Sequence, residues 1–198
     1  MAYARKYESY EVRALLKSAE GNASPVTKAP AHSRSLHAQA LHGGEGITKA
    51  ALEKRVDTAG LTKKAAKKVP GASSMFPNLI LQSSAAVQAL NSATGQAALA
   101  TFDNVAHAGK PLRMALTCAN VKEQGFLPET SAPSVTVAMK GAAPVATSSA
   151  TTGVKLIVDR DEANGQIFIQ TCIPMSAANL ASSWSVENYA THTQVASG

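Results

Sequence analysis

The sequence predicts an α+β protein in which N-terminal helices pack on a twisted antiparallel sheet. Segments with helical periodicity occupy most of residues 3–106, and segments typical of strands follow in residues 110–173. Asn164-Gly165 is a strong hairpin signal, and a hairpin makes the strands on either side of it antiparallel. Because helices and strands are segregated along the chain, an alternating parallel sheet is disfavoured.

The first helix is predicted over residues 3–19, with Gly21-Asn22 as its stop signal. Its larger residues recur at helical spacing: Tyr3, Tyr7, Tyr10 and Leu15. We expect this helix to pack against the domain rather than to stack on bases. Residues 21–33 have the Pro, Ser and Thr content of a linker.

Two short helices are predicted on either side of a glycine turn. The first runs from Ser33 to His42 and ends at Gly43-Gly44, because glycine adopts the left-handed conformation beyond a helix C-terminus. Thr48 can cap the second helix, which runs to about residue 57. The residues expected to be buried on that helix are Leu52 and Val56.

Residues 61–69 form a third, strongly basic segment, which Pro70-Gly71 ends. A short strand over residues 73–76 then leads to two Ala-rich helices, over residues 83–90 and 95–106. The core positions predicted on these helices are Ala86, Val87, Leu90, Ala97, Leu99 and Phe102.

Four longer strands complete the predicted sheet: residues 110–118, 134–140, 153–159 and 165–173. The Ala/Ser/Thr-rich stretch 142–152 is predicted to be an exposed loop. Beyond the last strand we expect no more than a turn of helix. The predicted organisation is an N-terminal helix and linker over 1–32, a main domain over 33–174 and a tail over 175–198.

The composition is typical of a soluble protein, and its charge fits a polyanionic partner, although many soluble proteins carry a similar charge. The 198 residues carry a formal net charge of +6, which suits RNA, DNA or an acidic inhibitor protein. Cys118 and Cys172 are too few for a disulfide framework or a metal site, and two buried thiols are favoured over a pair. The N-terminus lacks the apolar region of a secretory signal, and we expect no membrane-spanning segment.

Histidine, arginine and hydroxyl side chains suit cleavage of a phosphodiester without a metal. RNA supplies its own nucleophile, the 2′-hydroxyl, so a protein needs to move protons and to stabilise negative charge. Histidine performs the first task near neutral pH, and arginine binds phosphate through two parallel hydrogen bonds. A hydroxyl group can hold a phosphoryl oxygen in place.

Helix geometry separates His37 from His42. Residues five apart on a helix differ by about 140° around the axis, so both rings face one phosphate only if the helix ends between them. His42 is predicted at the helix C-terminus, where the dipole favours its protonated form, and near Arg55. His37 is either a core histidine or a second catalytic one, and Arg55 is either catalytic or an ordinary surface arginine.

Strict alternation assigns Thr171 to a face of the last predicted strand. One face carries Ile167, Ile169, Thr171 and Ile173, and the other carries Phe168, Gln170 and Cys172. By its spacing alone, Thr171 is more often an ordinary strand residue than a catalytic hydroxyl.

Several short motifs occur in a fixed order. Residues 35–43 read Ser-Leu-His-Ala-Gln-Ala-Leu-His-Gly, and Leu52-Glu53-Lys54-Arg55 lies in the next helix. Ala72-Ser73-Ser74-Met75-Phe76 and an Ala-rich helix follow, and the hairpin ends Thr171-Cys172-Ile173-Pro174. In this order they resemble the bacterial RNase A-like toxin domains found at the C-terminal ends of contact-dependent inhibition proteins and other polymorphic toxins.

The resemblance implies an RNase A-like architecture and a metal-independent endoribonuclease that needs no cofactor. His42 corresponds to the family's general acid/base, Arg55 to the residue that stabilises the phosphorane and Thr171 to the residue that positions it. His37 would be the second proton carrier. The lysines expected to bind flanking phosphates are Lys54, Lys63, Lys64, Lys67 and Lys68.

The resemblance also implies where the protein acts and what inhibits it. We expect a monomeric toxin, delivered by a specialised secretion system, that cleaves RNA in the cytoplasm of a target cell, with tRNA as one candidate. An acidic immunity protein would block its site.

The chain departs from the family pattern at two places. Ile173 stands where the family has a tyrosine, and Ser35 and Leu36 stand where it has glycines. The missing phenol leaves two alternatives: an inactive relative that binds RNA or protein, and an RNA-modifying transferase toxin on a similar scaffold. The absence of a recognisable nucleotide-binding loop argues against the transferase.

Overall fold

The predicted α+β class is confirmed in the computed structural model, which describes residues 2–20, 22–26, 42–43, 47–121, 134–176 and 179–198. The helices in this part of the chain are α1 (Ser9–Ala19), α2 (Lys49–Val56), α3 (Lys63–Lys67), α4 (Leu79–Asn91), α5 (Ala93–Asp103) and a 3₁₀ turn (Val105–His107). The strands are β1 (Ala72–Met75), β2 (Leu112–Ala119), β3 (Ser134–Met139), β4 (Ala146–Ala150), β5 (Gly153–Asp161), β6 (Gln166–Met175), β7 (Ser183–Asn188) and β8 (Thr193–Ser197).

The strands form two antiparallel sheets. The large sheet has the order β6-β5-β2-β7-β8, and the small sheet has the order β1-β3-β4. The hairpin predicted at Asn164-Gly165 is confirmed: the loop 162–165 joins β5 to β6, and Gly165 has a positive φ of 62°, a conformation that favours glycine.

The main core lies between the large sheet and three helices, α1, α4 and α5. Small residues on α4 and α5 let these helices approach closely, and Ser92 both ends α4 and caps α5 by accepting a hydrogen bond from the Gly95 N–H. Ala86, Leu90, Leu99 and Phe102 are buried as predicted, and Val87 is partly buried. Ala97 is exposed, because Ala98 instead occupies the helical position in line with Phe102.

The small sheet separates this core from a second one. On β3, Val135 and Val137 contact the main core, whereas Ala138 points to the other side. There it packs with Met75 of β1 and with Leu52 and Val56 of α2. Both α2 residues are fully buried and the Thr48 hydroxyl accepts a hydrogen bond from the Ala51 N–H, so the predicted cap and buried face are confirmed.

The N-terminal arm departs from the predicted helix over residues 3–19, since α1 begins only at Ser9. Side chains from α4 and α5 bind the arm's backbone in a non-helical form. The Asp103 carboxylate accepts hydrogen bonds from the Tyr3 and Ala4 N–H groups, and the Asn91 amide bonds both backbone groups of Tyr7. Both tyrosines are nevertheless buried in the main core.

Two segments form strands where none was predicted. Residues 146–150, within the predicted loop 142–152, form β4 along the edge of β3. The tail forms β7 and β8, and β7 pairs with β2 and buries Val186 in the main core. The boundaries at 32/33 and 174/175 remain predictions, but the hydrophobic core crosses both of them.

Cys118 and Cys172 are both buried and unpaired, as favoured. Among the described residues, no helix has the length and apolar character needed to cross a bilayer.

Candidate active site

Strand β1 is the common neighbour of the elements that carry the predicted site. It packs against α2, which holds Arg55, and it contacts β6, which holds Thr171. The backbone of β1 also binds His42. The elements that carry Arg55 and Thr171 therefore both contact one short strand, although they are far apart in sequence.

His42 is bound to β1 at two points. Its backbone carbonyl accepts a hydrogen bond of 2.8 Å from the Phe76 N–H. Its ring Nδ1 lies 2.8 Å from the carbonyl oxygen of Ser74, and the ring is half-buried. A carbonyl oxygen can only accept, so Nδ1 must carry the proton. In the neutral ring Nε2 is then the basic nitrogen, which is the form a general base requires.

Ser74 also connects β1 to the end of β6. Its hydroxyl donates a hydrogen bond of 3.1 Å to the carbonyl oxygen of Pro174. Pro174 lies on an edge strand of the large sheet, a position that tolerates its missing N–H. One buried residue therefore fixes the ring of His42 through its backbone and holds the strand of Thr171 through its side chain.

Arg55 lies in the last turn of α2, beside the face that the helix buries. It is about 60° from Leu52 around the helix axis, which makes it half-buried rather than fully solvated. Burial lowers the pKa of the Arg55 guanidinium from its usual value. The group remains charged near neutral pH, because an arginine starts from a pKa above 12.

A β-bulge in β6 determines where Thr171 lies. Ile157 of β5 pairs with Thr171, but the next residue, Val158, pairs with Ile169, so Gln170 is an extra residue. Ile169 and Cys172 both belong to the main core. Strict alternation, which grouped Thr171 with Ile169 and Gln170 with Cys172, was therefore wrong. Bulges commonly re-aim side chains beside active sites.

The bulge assigns Thr171 and Ile173 to the second face of the large sheet, the face opposite the main core. The neighbours of these two residues on β5 are Ile157 and Lys155, neither of which belongs to the main core. The prediction that Thr171 and Ile173 point the same way agrees with this register. Ile173, which replaces the tyrosine of the resembling family, is thus on the same face as Thr171.

The predicted lysines are all exposed. Lys54 is on α2, and the others are Lys63, Lys64, Lys67 and Lys68 on or just after α3. No ion pair in the described part of the chain engages any of them. The Lys140 side chain and N–H bond the carbonyls of Val69 and Gly71, which holds the segment after α3 beside the small sheet.

Sequence reasoning did not identify three neighbours of the site. Ser74 acts on His42 through its backbone carbonyl, which carries no signal in the sequence. Gln170 and Lys155 join Thr171 only through the bulge and the strand register. His37, the second predicted proton carrier, lies outside the described residues.

Two other possibilities have no support in the described residues. No cluster of three or more His, Cys, Asp and Glu side chains is arranged to bind a metal ion there. A cleft of about 350 Å³ lies between α1 and the start of β6, at the opposite end of β6 from Pro174. Its charged groups, Arg5 and Glu11, neutralise each other in an ion pair.

No protein-family model matches the sequence, and no curated protein or solved structure gives a significant match to it.

Proposed function

We propose that this protein is a metal-independent endoribonuclease toxin with an RNase A-like architecture, used in competition between bacteria. The observation that carries the proposal is the hydrogen bond from His42 Nδ1 to the Ser74 carbonyl. It selects the tautomer in which Nε2 accepts a proton. The same bond also fixes the orientation of the ring.

The proposed reaction is an attack of the RNA 2′-oxygen on the adjacent phosphorus. His42 Nε2 takes the 2′-hydroxyl proton as the new P–O bond forms. The Arg55 guanidinium binds the charged phosphorane and the Thr171 hydroxyl holds one of its oxygens. The bond from phosphorus to the 5′-oxygen then breaks, and the leaving oxygen receives a proton from a second carrier, for which His37 is the candidate. The products are a 2′,3′-cyclic phosphate and a 5′-hydroxyl end.

The lysines on and around α3 would bind phosphates that flank the scissile bond. Their charges are exposed and without ion-pair partners in the described part of the chain. Binding should therefore weaken steeply with salt, as counterion release requires. The same surface would attract an acidic immunity protein, and tRNA is one candidate substrate in the target-cell cytoplasm.

The direct test is incubation of the purified protein with total RNA and tRNA in the presence of EDTA. We expect cleavage, and we expect His42→Ala to slow it about 100- to 10,000-fold, the usual contribution of general acid–base catalysis. His192→Asn is a matched control, because asparagine tolerates the left-handed backbone of that residue and His192 lies in the turn between β7 and β8. Equal rates for His42→Ala and wild type would refute the role of His42.

Ile173 favours a second candidate function, a non-catalytic relative that binds RNA. Its side chain shares the second face with Thr171, where a phenol would otherwise be available. This alternative predicts salt-dependent RNA binding without strand breaks and without growth inhibition when the protein is expressed in bacteria. A mass increase of the RNA without strand breaks would instead indicate a transferase.

A further inference from the structure

We propose that Gln170 and Lys155 form a binding site for a phosphoryl oxygen beside Thr171. The inference rests on the proposed function, because it adds two substrate-contacting residues to the same site. It arises from the bulge in β6, which the sequence pattern did not predict, and from the register of β5 with β6.

The side chain of Gln170 is buried without satisfying its hydrogen bonds. The residue is only 4% exposed, and its Nε2 has no hydrogen-bond partner among the described residues. A buried donor of this kind costs folding free energy, so it needs a reason to be retained. Because Gln170 is the extra residue of the bulge, it opposes Ile157 together with Thr171. Gln170 therefore lies beside Thr171 where the bulge opposes Ile157.

Lys155 supplies a positive charge on the same face. It pairs directly with Ile173 and lies two residues before Ile157, the partner of Thr171. Diagonal neighbours of this type are about 7–8 Å apart, within reach of a lysine side chain. No ion pair joins Lys155 to a carboxylate in the described part of the chain, and Asp159, the next acidic residue on its strand face, is bound to Arg113.

The chemistry of the two groups points to an anionic oxygen. An amide NH₂ and an ammonium both donate hydrogen bonds, so together they suit an acceptor with negative charge. In RNA such acceptors are the non-bridging oxygens of phosphate. Preorganised hydrogen-bond donors that face an oxygen on which negative charge develops usually make the largest single contribution to catalysis.

The Gln170→Met variant distinguishes contact of the amide with a phosphoryl oxygen from a purely structural role of Gln170. Methionine has a similar length and lacks the unsatisfied donor, so the variant should be at least as stable to urea as wild type. If the amide contacts the phosphate, cleavage falls about 100-fold while stability is kept or raised. A Gln170→Met variant that is more stable and cleaves at the wild-type rate would overturn the assignment. Gln170→Glu, which puts a negative charge beside the phosphate, should also reduce binding and cleavage.

Lys155→Met tests the charge, with Lys17→Met as its control. Lys17 is exposed on α1, which packs on the main-core side of the sheet. Binding is measured with a ten-nucleotide RNA whose 2′-hydroxyls are methylated, so that it cannot be cleaved. For Lys155→Met the slope of log K against log salt should shrink by about 0.7, the loss of one phosphate contact with a single strand. Lys17→Met should leave that slope unchanged.

The binding and cleavage assays together distinguish the two proposals. If wild type binds the methylated RNA but does not cleave RNA, and both variants weaken binding, the oxygen site stands and the ribonuclease proposal fails. If wild type cleaves and both variants bind and cleave as wild type does, the oxygen site fails and the ribonuclease proposal stands. If wild type neither binds nor cleaves, both are wrong.

Discussion

The two faces of the large sheet are made of different chemistry, although the same strands supply both. On β5, Val154, Leu156 and Val158 face the main core and are fully buried. The residues between them, Lys155 and Ile157, are only partly buried and lie on the second face with Thr171. One face is therefore closed by helices, whereas the other carries polar groups at each end.

The charged end of the second face shows what such polar burial requires. Asp159 is fully buried and binds Arg113 through two hydrogen bonds, of 2.7 and 3.0 Å. The Ser24 hydroxyl also donates to Asp159, and the Tyr189 ring stacks on the Arg113 guanidinium. Both carboxylate oxygens of Asp159 are thereby hydrogen-bonded. At the other end of the face the Gln170 amide is not, and such departures from self-consistent packing are expected at functional sites.

Breaking the buried ion pair should have the largest effect on stability. Asp159→Ala leaves the Arg113 guanidinium, whose side chain is 15% exposed, without its counter-charge. We expect a loss of about 3–5 kcal/mol in the free energy of unfolding, measured with urea. The double variant Arg113→Met/Asp159→Leu should recover most of that loss, because it removes both charges together. A single variant as stable as wild type would mean that the pair is solvated.

Truncating two neighbouring side chains on β5 compares how much each face of the sheet contributes to the free energy of unfolding. Leu156→Ala removes a fully buried side chain from the main core and should cost about 2–5 kcal/mol. Ile157→Ala acts on the second face, where the side chain is only partly buried, and should cost about 1 kcal/mol. Urea denaturation of both variants gives the comparison. Equal losses would show that the second face is as tightly packed as the core.

The parts of the fold that depend on neighbouring residues could be predicted from the sequence. The Thr48 cap, the buried Leu52 and Val56, and the Asn164-Gly165 hairpin each follow from spacing over a few residues. The strand β4 could not be predicted in this way. Its residues are mostly exposed and lack apolar alternation, and only the available edge of β3 makes them a strand.

The residue types of the candidate site could be chosen from the sequence, but its geometry could not. His42 and Arg55 were selected by their chemistry; the structure bonds His42 to β1 and has Arg55 on α2, which packs against β1. The face of Thr171 was assigned wrongly with respect to Ile169, because a bulge changes the alternation and leaves no local signature in the sequence. The bond to the Ser74 carbonyl could not be foreseen, since a backbone group looks the same at every residue.

The two thiols give an effect that appears only at high pH, and it reports on the core face alone. Cys118 and Cys172 both lie in the main core, and burial raises the pKa of each thiol above its ordinary value. Between the unfolded pKa, about 8.5, and the raised folded pKa, the unfolded chain releases protons that the folded protein retains. The free energy of unfolding should therefore fall as pH rises through this range, by up to about 1.4 kcal/mol per thiol one pH unit above the unfolded pKa.

Urea denaturation at pH 8, 9 and 10 measures this slope, and Cys118→Ala/Cys172→Ala is the control that should flatten it. Tyr7 adds its own loss only at higher pH, because burial raises its pKa from 10 to about 12. A wild-type slope parallel to that of the double variant would mean that the thiols ionise in the folded protein, and hence that water reaches the core face. The contrast between a closed face and a polar face would then no longer hold. The unsatisfied amide of Gln170 would also no longer be unusual for this sheet.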